Sequence, residues 1–397
     1  MKPTTHPTAL HLVMLLGVVS LFADMTYEGA RSLIGPYLAA LGAGATAVGV
    51  VAGMGEAIGY GLRIVSGLIT DRTHRYWTMT LAGYAVNLLA VPALALAGNW
   101  ETAAVLIMTE RFGKAIRTPA RDAILSHAAH GLGRGWAFGL HEAMDQIGAM
   151  IGPIIVAAVL AWKGRYDYGF AVLALPALLA LAVLMIARIS HLQPHDLEPT
   201  MRTREARGLR SSFWFYLMAV ACIALGFADF PLVAFHLKTK GIVADQWIPV
   251  IYAGAMAVDA LSAVVLGRLY DRKGASVLVV TIGVSAWSAP FVFLSGPVLV
   301  IVGIVLWGIG IGAQESIIRA VVADLVPGDR RATGYGIFNA GFGLAWFAGS
   351  AFMGLLYDRS LMALAAFSVV VQFASMPWLH FVQRRLPTTR VATDAKG

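Results

Sequence analysis

The sequence predicts an all-α membrane protein of twelve transmembrane helices, arranged as two pseudo-symmetric six-helix bundles. Three observations carry this prediction. Hydrophobic residues make up 58% of the 397 positions and charged residues 13%, and the mean hydropathy is +0.72. A soluble chain of this length with so few charges would lack the polar residues to cover its surface. The apolar residues also fall into twelve runs, each near the ~20 residues that a hydrocarbon crossing requires. Finally, the polar pattern closing the second run, Gly67-Leu-Ile-Thr-Asp71-Arg72-Thr-His74-Arg75, returns two hundred residues later as Gly267-Arg-Leu-Tyr-Asp271-Arg272-Lys273-Gly274.

In chain order the runs span roughly 9–41, 45–69, 76–98, 101–127, 134–162, 167–189, 212–237, 245–269, 275–294, 297–325, 332–357 and 361–383. The first follows a short polar start, as a signal peptide would. It continues through Asp24, Glu28 and Arg31 without a small-residue cleavage site, so it reads as a retained helix. Residues 190–211 are polar and carry Arg202, Arg204, Arg207 and Arg210. They read as a linker between an N-terminal bundle, 1–189, and a C-terminal bundle, 212–384, with a tail at 385–397.

With alternate loops assigned to opposite sides, one side collects sixteen Lys and Arg residues and the other five. This bias predicts both termini in the cytoplasm of a multi-pass cell-membrane protein. Trp100, Trp162 and Trp247 fall near segment ends, as interfacial anchors do. The net charge of +8 lies in short loops, with no basic run interleaved with aromatics. It reports topology and does not predict a nucleic-acid partner. The single cysteine, Cys222, excludes an intrachain disulfide or a cysteine-based metal site. The partners expected are a lipid bilayer, a small-molecule substrate and protons, with the chain acting as a monomer.

The repeated pattern places a small residue, then an acid and a base, at a helix end, a charged latch suited to a membrane surface. The halves match elsewhere. Phe22-Ala23-Asp24 corresponds to Phe227-Ala228-Asp229, and the region of Arg121 in the fourth segment to that of Arg319 in the tenth. Duplicated six-helix units are a mark of parallel-repeat transporters. In the fifth segment Gly148, Gly152 and Pro153 supply close packing and a bend, the makings of a hinge.

Charges inside membrane segments cost about 2.5–3.5 kcal/mol each at a helix centre, so they face partners or water. Asp24, Glu28 and Arg31 share one face of the first helix with Tyr27 beside them. That face either lines a cavity or forms an ion-pair ladder that neutralises itself. In the fourth helix Glu110, Lys114, Arg117 and Arg121 form a stripe, with Arg111 and Asp122 to the side. Glu110, Lys114 and Arg117 serve either the cavity or structural pairing, while Arg121 and Asp122 are predicted to pair with Asp71. Glu56 and Arg63 of the second helix are the expected partners of these charges. His141 and Asp145 of the fifth, one turn apart, suit a proton relay. The second half is sparser, with Asp229, His236, Asp259 and the pair Glu315 and Arg319. Phe230, Trp307, Phe338 and Trp346 there are apolar walls or packing core.

The Gly67–Arg75 pattern resembles the loop signature of the major facilitator superfamily, G-x-L-x-D-R-x-G-R-[RK], with His74 standing where the signature has glycine. Gly148-Ala-Met-Ile-Gly152-Pro153 is similar to that family's fifth-helix G-x-x-x-G-P motif, associated with antiporters. Arg111 followed by Gly113 resembles its fourth-helix basic motif. Together these resemblances span the chain. They imply the fold of that family, with gating assigned to Gly67, Asp71, Arg72, Arg75, Arg121, Gly148, Gly152, Pro153, Gly267, Asp271 and Arg272.

Nucleotide-binding and hydrolytic motifs are absent from the sequence, so a secondary transporter is expected, not an enzyme, with no cofactor or bound metal. Substrate and proton coupling are assigned to Asp24, Tyr27, Glu28, Arg31, Glu56, Glu110, Lys114, Arg117, His141, Asp145, Asp229, Glu315 and Arg319. The expected function is proton-coupled export, by antiport, of a small polar or anionic metabolite or drug-like compound. The alternatives are a divalent-metal exporter using Asp24, Glu28, His141, Asp145 and His236, or a membrane sensor that transports nothing.

Overall fold

A computed structural model of the chain describes residues 6–128, 134–190, 211–274, 276–326 and 331–383. Among the described residues there are no strands and twelve long helical stretches. The first six are α1 His6–Ala40, α2 Ala45–Thr73, α3 Tyr76–Leu96, α4 Trp100–Ala128, α5 Arg134–Lys163 and α6 Tyr166–Ser190. The second six are α7 Ser211–Thr239, α8 Trp247–Lys273, α9 Ser276–Leu294, α10 Pro297–Val322, α11 Arg331–Arg359 and α12 Leu361–Gln383. These bounds follow the hydropathy pattern closely. Eleven of the stretches are long and apolar enough to cross a membrane. The remaining one, α4, is 29 residues long and carries Glu110, Arg111, Lys114, Arg117, Arg121 and Asp122. Its charges, not its length, set it apart.

The helices form two compact units, the first from residues up to 201 together with Asp229–Gly254, the second from 202–228 together with 255 onward. Both α7 and α8 therefore contribute to each unit. The linker predicted at 190–211 lies, apart from its two end residues, outside the described residues.

Within the first unit α1 packs along α5 through missing side chains. A Cβ on Gly148 would strike the carbonyl oxygen of Leu21 and come within 3.0 Å of the Asp24 Cβ. A Cβ on Gly152 would meet the backbone of Met25 at 2.8 Å. The small residues let two backbones touch, as in membrane helix pairs generally, and so fix the face that carries Asp24. The second unit repeats the device. A Cβ on Gly349 of α11 would meet Leu225 of α7 at 2.7 Å.

Sequence periodicity gives no sign that α7 is broken, yet it runs as Ser211–Gly226 and then Phe230–Thr239. A break in hydrocarbon frees carbonyls that must find donors. Ser368 Oγ and Gln372 Nε2 of α12 donate to the Gly226 carbonyl at 2.6 and 3.0 Å. Trp307 Nε1 donates to the Ala228 carbonyl at 2.7 Å. Beyond the break, α7 lies so close to α1 that any side chain on Gly35 would collide with the Pro231 carbonyl. α10 loosens into a π-helical turn at Gln314–Ile318, and the hydroxyl of Tyr216 donates to the Ile318 carbonyl at 3.0 Å.

The two latch copies end their helices in the same way. His74 has φ +53° and Gly274 φ +66°, each closing the last turn with a backbone bond, His74 N–H to Thr70 O at 2.8 Å and Gly274 N–H to Tyr270 O at 2.7 Å. A left-handed residue is the usual helix terminator, and glycine takes it without cost. Histidine at 74 therefore preserves the geometry of the signature glycine. Asp71, Arg72, Asp271 and Arg272 sit in the last helical turn, before the bend, and are exposed.

Candidate functional site

The first unit buries a connected network of charge, assembled by four helices of its own and by the part of α7 and α8 that joins it. α1 supplies Glu28 and Arg31 on one face, one turn apart. Arg31 Nη2 lies 3.2 Å from Glu56 of α2 and 3.2 Å from Asp229 of α7, and its Nη1 lies 3.9 Å from Glu28. Arg111 of α4 reaches Glu56 at 3.4 Å and Glu110 at 3.1 Å. Glu110 also accepts from Asn87 Nδ2 of α3 at 2.6 Å, and Glu28 accepts from the hydroxyl of Tyr252 in α8. Asp229 heads the second part of α7, yet its side chain caps no backbone amide. Its carboxylate faces Arg31 and is 2% exposed, a burial tolerated because the partner is charged.

A second cluster lies along the same helices. Asp24 is hydrogen-bonded to Tyr27 and within electrostatic reach of Asp145 and Lys114. His141 Nδ1 lies 3.3 Å from Asp145, and Ser20 bonds Asp145 as well. The Lys114 ammonium sits 3.8 Å above the Tyr27 ring, and the Arg117 guanidinium 4.2 Å from the Tyr84 ring and 5.7 Å from that of Tyr27. Cation–π contacts of this kind draw each cation to the face of its ring.

One pairing expected from sequence is not formed. Arg121 does not bind Asp71. It donates to the adjacent Asp122 at 2.7 and 2.9 Å and to Ser20 Oγ at 3.3 Å. Its own neighbour on the helix satisfies it, whereas Asp71 is exposed at the end of α2 and hydrogen-bonds Tyr76 instead. A Cβ on Gly67 would meet Pro119 of α4 at an ordinary 3.7 Å, and one on Gly267 would meet open space. Pro153 lies inside α5. Glu315 is half-buried in the π-helical turn, while the side chain of Arg319 lies outside the described residues. Among the described residues no three His, Cys, Asp or Glu side chains converge to hold a metal ion.

The sequence reading missed Tyr252, Asn87, Tyr84 and Ser20 as partners. Asn87 carried a signal, as a lone amide in an otherwise apolar run. The tyrosines carried none, because phenols are ordinary in membrane helices.

At the helix ends opposite the latches, Asp245 joins Lys238 and the hydroxyl of Tyr166, the latter at 2.6 Å. Tyr37 donates to the carbonyls of Leu94 and Ala97 at 2.8 and 3.0 Å, tying α1 to the end of α3. In the α5–α6 loop Arg165 pairs with Asp167 at 2.7 Å, a hydrogen bond that raises the arginine's pKa.

A polytopic helical protein built from two matching units, with ionisable groups buried at mid-helix, has the design of a membrane transporter. The sequence matches the family model described as Major Facilitator Superfamily over residues 15–350 and again over 230–396, and the chain belongs to that superfamily. An uncharacterized protein of Mycobacterium tuberculosis is 43% identical over 387 residues, covering 96% of this chain and 94% of the relative. An uncharacterized MFS-type transporter of Methanocaldococcus jannaschii is 25% identical over 358 residues, covering 88% and 89%. Among solved structures, the nucleoside transporter NupG superposes with a TM-score of 0.72 at 14% identity, covering 92% of this chain and 98% of that one. A POT family transporter in complex with 5-aminolevulinic acid gives 0.75 at 14% identity, covering 94% and 96%. At such identities the structures speak for the fold alone. The chain is thus an MFS transporter, a multi-pass protein of the cell membrane.

Proposed function

We propose that this transporter exports a small polar or anionic metabolite or drug-like compound in exchange for protons. The observation that carries the reading is the buried, connected charge network in which Glu28, Glu56, Glu110 and Asp229 gather around Arg31 and Arg111. Ionisable groups that meet inside membrane helices are a mark of ion pathways and proton relays. Protonating Glu28 or Asp229 weakens the hold on Arg31, and with it the attachment of 229–254 to α1. Asp24, Asp145 and His141 extend the titratable chain toward the latch end. The halves then rock, while the α1–α5 contact at Gly148 and Gly152 keeps the Asp24 face in place within the first unit, and Asp71, Arg72 and Arg75 with the matching Asp271 and Arg272 latch the cytoplasmic side. Sixteen basic residues against five orient the latches and both termini to the cytoplasm. In this reading the chain acts as a monomer.

The test begins with a thermal-shift screen of the purified protein against metabolites, drugs and divalent cations at two pH values, since a ligand stabilises by RT ln(1 + [L]/Kd). Uptake and efflux of the compound found are then followed in wild type, Asp24→Asn and Glu28→Gln. Both variants are expected to flatten the pH dependence. Wild-type pH dependence in both sinks the coupling scheme, and stabilisation by divalent metals alone sinks the substrate class.

A further inference from the structure

The arginines and lysine buried on α1 and α4 fall into two groups. Arg31 and Arg111 are engaged by carboxylates, and Arg121 by Asp122 and Ser20. Lys114 and Arg117 are not. Among the described residues neither makes an ion pair, and the Arg117 guanidinium donates no hydrogen bond. Its side chain is nonetheless 1% exposed, with Nε and Nη1 enclosed and unmet. The hydroxyl of Tyr84, whose ring lies 4.2 Å from the guanidinium, is also buried without a partner. Asp24, the acid that acts electrostatically on Arg117, is itself hydrogen-bonded to Tyr27.

The bland account is packing, in which two tyrosine rings satisfy the charge. It fails on the chemistry. Ring faces attract a cation but accept none of its in-plane N–H groups, and buried donors left unmet are rare enough to need an explanation. The unmet groups about Arg117 are donors, from a guanidinium and a phenol, with an ammonium close by. Two unmet acceptors of the surrounding helices, Oδ1 of Asn87 and Oδ1 of Asp145, belong to side chains already committed to Glu110 and to His141, and the Asp24 carboxylate, in electrostatic reach of Lys114 and Arg117, makes no ion pair with either. Buried guanidinium donors left without an acceptor call for an anion, and a planar guanidinium fork matches a carboxylate best.

We infer that Arg117, with Lys114 and the Tyr84 hydroxyl, binds a carboxylate group of the transported compound. The inference rests on the transport reading above and narrows its substrate class. Gly83 and Gly113 serve this site. A Cβ on Gly83 would lie 2.6 Å from the Arg117 backbone nitrogen, and one on Gly113 2.8 Å from the Asn87 Cα. Their absence brings α3 against α4 and sets Tyr84 beside the guanidinium.

The experiment uses full-length protein in lipid nanodiscs at fixed ionic strength, with benzoate against benzamide, hexanoate against hexanamide, and chloride and inorganic phosphate as further probes. A carboxylate is expected to raise the thermal midpoint saturably while its amide does not. Arg117→Gln abolishes the effect, Arg117→Lys keeps the cation but loses the fork and weakens binding about tenfold, and Tyr84→Phe weakens it less. Because Arg117→Gln could unfold the protein, Arg117→Lys and Tyr84→Phe provide independent readouts. Equal effects of acid and amide, an unchanged carboxylate effect in the folded variants, or no response to any carboxylate overturns the inference. Saturation by chloride or phosphate alone does so too, making the site one for inorganic anions. Carboxylate binding that needs Arg117 alongside pH-independent flux leaves this site standing and removes proton coupling. The reverse pattern removes only the site.

Discussion

Gly152→Ala tests the packing that fixes the Asp24 face of α1 within the first unit. The added Cβ would stand 2.8 Å from two backbone atoms of Met25 and nearer still to its carbonyl oxygen, roughly 0.6 Å inside ordinary van der Waals contact. Backbone cannot turn aside as a flexible side chain can, so α1 and α5 must separate. Overpacking of this kind costs about 1–3 kcal/mol. Against it stands a gain of up to ~1 kcal/mol from replacing glycine by alanine within a helix. Gly59→Ala supplies the control, since it lies in α2 with no neighbour within 4 Å of the new Cβ and collects the same gain without the clash. The difference between the two variants isolates the steric term, about 1–3 kcal/mol. At about 2–4 °C per kcal/mol for units of 150–250 residues, Gly152→Ala melts several degrees below Gly59→Ala. Thermal melts of the two purified proteins in one detergent, followed by tryptophan fluorescence, make the comparison. Gly152→Ala melting at or above Gly59→Ala would refute the argument, and with it the idea that this contact fixes the Asp24 face.

Two further outcomes are expected. His74→Gly should match or slightly exceed wild-type stability, while His74→Val should lose about 1–2 kcal/mol, because β-branching aggravates a left-handed backbone; equal melting of all three would remove the structural need for the signature turn. Glu56→Gln should lose about 3 kcal/mol, near the low end for breaking a buried ion pair, since Arg31 keeps Glu28 and Asp229 and Arg111 keeps Glu110; a loss below about 1 kcal/mol in chemical denaturation would show the bridging carboxylate to be dispensable.

The sequence by itself determined the membrane-spanning class, the twelve segments, the repeat and the superfamily. It could do so because these rest on local properties: hydropathy over one helix length, and charge at helix ends. It also marked Asp24, Glu28, Arg31, Glu56, Glu110 and Lys114 as mid-membrane charges, since any ionisable group in an apolar run is conspicuous. Only the tertiary structure decided which of these charges meet. The sequence assigned Arg31, Lys114 and Arg117 alike to substrate and proton coupling, yet Arg31 is held by Asp229, a residue 198 positions away. Arg121 chose its neighbour Asp122 over Asp71, and the broken α7 found its donors on α10 and α12. Pairings of this kind depend on which helix faces which, and facing is set by where glycines let backbones close. A glycine reads the same in a sequence whether its missing side chain faces a backbone, as at Gly152, or open space, as at Gly59.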